Sequence, residues 1–154
     1  MADFLNWLQH TWLAMSVNES LTLTAVTSAT HVVGFALLTG SVIVATLRLT
    51  GLAFTEVAAS EIAATTRRGT FIGLSISVVT GALLFSTRAT MVGTNSTFRI
   101  KMALLVAATL FQVLVSRRLV QRSAGPRVLQ ATGVVGLALW LGVGAAACAF
   151  ILLE

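Results

Sequence analysis

Four long apolar runs decide most of what this chain can become: approximately residues 21–47, 70–87, 98–116 and 129–153. At about 1.5 Å per helical residue, runs of this length cross the roughly 30 Å hydrocarbon core of a bilayer, the second being the shortest. They are continuously apolar, with no alternation of period two, so spanning helices are predicted and a β-barrel is not. The expected fold class is therefore all-α: an integral membrane four-helix bundle forming one transmembrane domain over residues 1–154. Composition agrees. The chain is 56% hydrophobic and only 10% charged, with mean hydropathy +0.93, far from the balance of a soluble domain. A single cysteine, Cys148, provides neither an internal disulfide nor a CxxC motif, which leaves helix packing to hold the protein together.

Ten Lys and Arg outnumber five Asp and Glu, for a formal charge of +5. The basic residues sit at the ends of apolar runs and not on one face with interleaved aromatics, so they read as topology signals and nucleic acid is not expected as a partner. Arg48, Arg67 and Arg68 lie between the first and second runs; Arg117, Arg118, Arg122 and Arg127 lie between the third and fourth, where Gly125 and Pro126 mark a turn. The positive-inside rule places these on the cytoplasmic side. Arg88, Arg99 and Lys101 are then the cations of the opposite side, where both termini also fall. The start of the chain lacks the basic n-region and unbroken apolar core of a cleavable signal, and is read as retained. Phe4, Leu5, Trp7, Leu8, Trp12 and Leu13 recur there close to helical spacing, predicting an interfacial amphipathic helix over 1–17. Residues 51–66 suit a short cytoplasmic surface helix or an ordered loop.

Within the runs, small and weakly polar residues form stripes: Thr24, Thr27, Ser28, His31, Gly34 and Ser41 in the first, and Thr70, Gly73, Ser77, Thr80 and Gly81 in the second. The third carries Lys101, Ala108, Gln112 and Ser116, and the fourth Gly133, Gly136, Gly144 and Ala147. Close helix packing explains most of them, because small residues let backbones approach and hydroxyls bond to neighbouring carbonyls. His31 is different. An ionisable ring roughly 15 Å into a span is costly and points to function. A neutral imidazole offers one nitrogen to a metal while the other donates to a carbonyl or hydroxyl, and haem iron suits it. The competing explanation is a structural bond across to Thr80 or Gln112.

A haem in the outer half needs cations for its propionates, and Arg88, Arg99 and Lys101 are the ones on that side; for Arg99 and Lys101, snorkelling to headgroups is the alternative. His10 belongs to the surface helix, so Met102, a vacant position or a second chain would complete the iron. Met91, Met102 and Cys148 with His31 define a copper(I) path as an alternative, although Cys148 and the methionines also suit simple packing. Asp3, Glu19, Glu56, Glu61 and Glu154 fall outside the runs or at their ends, leaving no intramembrane carboxylate pair for a proton relay. No nucleophile triad, metalloprotease helix or phosphate loop is present, so independent catalysis is not expected and a cofactor would supply any chemistry.

The segments "HVVGFALLTGSVIVATLRLTG", "TRRGTFIGLSISVVTGALLFSTRA" and "NSTFRIKMALLVAATLFQ" together resemble an uncharacterised family of small four-span bacterial membrane proteins. More loosely they are similar to copper-resistance protein D and to the haem-binding J-type protoporphyrinogen oxidases. The shared layout is His31, Gly34, Gly40, Arg48, Thr80, Gly81 and Lys101. The oxidase likeness implies a haem b site on His31 with Lys101 at the position of a needed lysine, and the copper-resistance likeness implies copper passage past His31. The leading expectation is a haem b-binding electron-transfer or anchoring subunit of a larger assembly in the bacterial inner membrane. Its partners would be lipid and other membrane subunits, or further copies of itself. A copper-handling permease and a cofactor-free structural accessory subunit are the alternatives.

Overall fold

The computed structural model describes residues 2–121 and 125–152; Arg122, Leu153 and Glu154 lie outside the described residues. Four helices carry the apolar runs: α3 (Leu21–Thr50), α4 (Ala59–Thr87), α6 (Ser96–Gln121) and α7 (Pro126–Leu152). Two short helices precede them, α1 (Ala2–Gln9) and α2 (Trp12–Glu19), and α5 (Ala89–Thr94) bridges α4 and α6. All four long helices are apolar and long enough to cross a membrane. Large side chains such as Val32, Val33, Ile72, Val79, Val106 and Leu110 face outward. Such an outward apolar surface, on four helices long enough to span, suggests a multi-pass membrane protein.

Local chemistry sets the helix ends. The Ser20 side chain accepts from the Leu23 N–H at the start of α3, as an N-cap should. At its other end Gly51 adopts a left-handed φ of 73° and its N–H returns to the Arg48 and Leu47 carbonyls, a conformation that glycine adopts without steric penalty. Asn95 Oδ1 accepts from the Thr97 and Phe98 N–H groups at 2.8 and 3.3 Å, opening α6. Pro126 begins α7, where its missing N–H is harmless.

Two boundaries differ from the sequence reading. The N-terminal segment is two helices, because Thr11 caps α2 through Ala14 N–H while His10 Nδ1 pairs with the Asn6 carbonyl at 2.7 Å. Of the surface helix or ordered loop expected over 51–66, turns occupy 51–58 and the first two turns of α4 the remainder. No proline interrupts residues 59–87, so the helix continues past the charged Glu61, Arg67 and Arg68 into the apolar run.

Helix α3 is central, packing on α4 along one side and α7 along the other, with α7 also against α6. The buried centre is Leu38, Val42, Ala108, Trp140 and Val143, joined by Leu74 of α4 and Leu104 and Leu105 of α6. Thr46 Oγ1 donates to the Gly133 carbonyl at 3.1 Å in this interior. The tightest seam is α3 on α4, where Gly69, Gly73, Ser77 and Gly81 recur every fourth residue and so share one face. A Cβ on Gly73 would lie 2.6 Å from both the Gly34 carbonyl oxygen and the Leu38 nitrogen; the backbones meet there. By contrast, no Cα of α6 approaches one of α3 or α4 within 8 Å among the described residues.

The N-terminal helices fold back over the end of the bundle at which the termini lie. Leu5 sits against Gly93, and Gln9 Oε1 accepts from Thr90 N–H and Oγ1–H at 3.1 and 2.7 Å. Phe4, Trp7, Trp12 and Leu13 remain exposed.

Candidate ligand site at His31

His31 occupies the α3–α4 seam three turns into α3. Its ring lies against Gly81, whose added Cβ would come within 3.0 Å of His31 Cε1; a larger residue there would occupy the place of the imidazole. Nδ1 stands 3.0 Å from Thr80 Oγ1. The Thr80 hydroxyl has one hydrogen, and its shortest acceptor is the Ile76 carbonyl at 2.6 Å, with the Ser77 carbonyl at 3.5 Å as a second. With its hydrogen on the Ile76 carbonyl, Oγ1 accepts from Nδ1–H; with its hydrogen turned to the ring, it donates to Nδ1. The ring also hydrogen-bonds the Ser77 backbone. In the first arrangement Nδ1 carries the hydrogen and Nε2 of the neutral ring keeps its lone pair. Metal-binding histidines use this arrangement, one nitrogen donating to the protein and the other left for the ligand.

Lys101 of α6 is half-buried. Over this region Phe85 of α4 stacks on Phe98 of α6 with centroids 5.1 Å apart, bridging the wide gap between the two helices. The remaining residues named from the sequence do not converge here. Arg88, at the junction of α4 and α5, and Arg99 are exposed. Met102 is 40% exposed, turned away from the face that carries Lys101. Met91 is also exposed, as is Cys148. Gln112, the other proposed structural partner of His31, lies near Gly136 of α7.

Two buried polar atoms escaped the sequence reading. Among the described residues Ser77 Oγ and Trp140 Nε1 have no hydrogen-bond partner, and Ser77 lies one turn from Thr80 on the same seam. Ser77 already belongs to the packing stripe read from the sequence, but starting that span at Thr70 leaves Gly69, one turn further along the same face, out of it. Among the described residues no three His, Cys, Asp or Glu side chains gather as a metal cage.

Comparison with known families adds one match. Residues 4–152 fit a model described as a family of unknown function, DUF6644. The chain belongs to that family. The match runs from α1 to the end of α7, so the N-terminal helices are as much part of the family's architecture as the four spans. No curated protein and no solved structure matches the chain, and the likenesses to copper-resistance protein D and the J-type oxidases have no counterpart in these results.

Proposed function

We propose that this membrane protein binds haem b through Nε2 of His31 and serves as an electron-transfer or anchoring subunit of a larger membrane assembly. The observation that supports the reading is the Thr80–His31 pair, in which an Nδ1–H donated to the Thr80 hydroxyl leaves Nε2 to serve as a ligand. The donor set suits a porphyrin better than a bare ion. A porphyrin brings four nitrogens and asks the protein for one or two axial ligands, whereas an ion held by protein alone needs several converging side chains. Lys101, half-buried on α6, would offer a cation for a propionate, and Arg88 and Arg99 are exposed. When bound, the haem supplies one-electron chemistry; the chain orients the imidazole and keeps it in lipid.

The orientation belongs to the same proposal. Arg48, Arg67, Arg68 and Arg127 lie at the end of the bundle opposite the termini, which puts both termini outside under the positive-inside rule and His31 in the outer half of a bacterial inner membrane. The full chain, purified in detergent after haem-replete expression, is expected to show a Soret band that His31→Ala abolishes and Arg99→Gln retains. A colourless wild-type protein that also fails to take up added haemin overturns the assignment, as does stoichiometric copper without a Soret band.

A further inference from the structure

The N-terminal helices are fixed against the spans at a definite depth. Helix α2 packs on α4 and on the start of α3, and Ser20 alone separates it from α3. Thr24 Oγ1–H donates to the Val17 carbonyl at 2.6 Å, tying the end of α2 to the first turn of α3. Around the break between α1 and α2, Leu8, Thr11 and Leu13 border one hollow with Val79, Ala82 and Leu83 of α4. Ala82 and Leu83 lie roughly 6–8 Å before Thr87 along the helix, and Thr87 is the last residue of the α4 span. The break therefore stands alongside the span, short of its end. An amphipathic helix in a membrane surface sinks about 5–10 Å, to the boundary of headgroups and acyl chains, and the depth of the break matches that. Trp7 and Trp12 flank it, 63% and 75% exposed.

We propose that α1 and α2 are embedded in the leaflet on the side of the termini, with Trp7, Trp12 and Leu13 among its lipids where headgroups meet acyl chains. Tryptophan favours that level. The exposed side of the break opens beside Val78 and Val79 of α4, themselves exposed on the outward apolar surface of the spans, so one lipid layer covers both. Residues 1–19 carry Asp3 and Glu19 but no Lys or Arg; apolar burial and not charge holds the segment, and headgroup charge is immaterial to it. The proposal does not depend on haem binding.

The test is tryptophan emission of the full chain in phosphatidylcholine nanodiscs, quenched in turn by lipid spin-labelled near the headgroup, by lipid spin-labelled near the acyl terminus, and by iodide in the buffer. Trp7 and Trp12 share the chain with one further tryptophan, Trp140, which is 1% exposed. The emission lost in Trp7→Phe or Trp12→Phe therefore isolates each surface ring. Both rings are expected to lose most of their emission to the label near the headgroup, less to the deep label and little to iodide. Mixing phosphatidylglycerol into the nanodisc should leave this pattern unchanged. Should iodide quench Trp12 as it does a free indole, water covers the face; should neither iodide nor labelled lipid reach it, protein covers it, as in an oligomer. Either result overturns the proposal, as does lipid quenching that appears only with phosphatidylglycerol present.

Discussion

Replacing Gly73 with alanine is the sharpest perturbation of the seam that presents His31. The new Cβ would stand 2.6 Å from the Gly34 oxygen and the Leu38 nitrogen, against 3.4 Å at the near limit of ordinary contact. Both obstructing atoms are backbone, so no rotamer change relieves them, and α3 and α4 must separate by about 0.8 Å. Overpacking of this kind costs about 1–3 kcal/mol, offset by about 0.5–1 kcal/mol for removing glycine from a helix. The net expectation is a loss of about 0–2.5 kcal/mol, centred near 1 kcal/mol. Gly40 of α3 is the control, because nothing lies within 4 Å of its added Cβ, and Gly40→Ala should gain the propensity term alone. Unfolding of the two variants and the wild type in mixed micelles, followed by circular dichroism, measures the difference. Should Gly73→Ala prove as stable as Gly40→Ala, the backbone contact between α3 and α4 is not the tight seam described above. The same separation, propagated along the helices to His31, would take its 3.0 Å bond to Thr80 beyond normal hydrogen-bonding distance, so haemin uptake should fall together with stability.

Thr80→Val keeps the side chain's shape and removes the acceptor of the His31 Nδ1–H; haemin affinity is expected to fall about 10–100-fold, while Thr80→Ser stays near wild type. Equal affinities for the two variants in a Soret-band titration would show that Thr80 does not position the ring. Gln9→Ala removes the acceptor for both Thr90 donors, worth about 1 kcal/mol. Hydrogen exchange should quicken in α1 and α5 and stay unchanged along the α3–α4 seam.

The four spans are legible in the sequence because lipid offers the backbone so few solutions; their ends are less so. Hydropathy falls at Glu61, Arg67 and Arg68, where the membrane is expected to end, but a helix ends only where its backbone bonding is interrupted, and α4 runs back to Ala59. Likewise the broken N-terminal helix depends on Thr11 turning its oxygen onto a backbone N–H, a local competition that apolar spacing does not register. At the site, Thr80 was one of two partners that the sequence offered His31. Gln112 is about 16 Å further along α6 than Lys101, too deep to share that residue's level. Met102 follows Lys101 by one residue, a rotation of roughly 100° around the helix, and the two therefore face apart. That separation is readable from spacing once Lys101 is known to face inward, which only the packed bundle decides. The unpartnered Ser77 and Trp140 are not readable from sequence, since burial of a polar atom depends on which neighbours surround it.

The most direct measurement of the central claim is haem content per chain, by pyridine haemochrome assay, in wild type and His31→Ala purified side by side from haem-replete cells. One haem b per wild-type chain and none in the variant is the predicted result. Wild-type protein free of haem, or equal haem in both proteins, would contradict it.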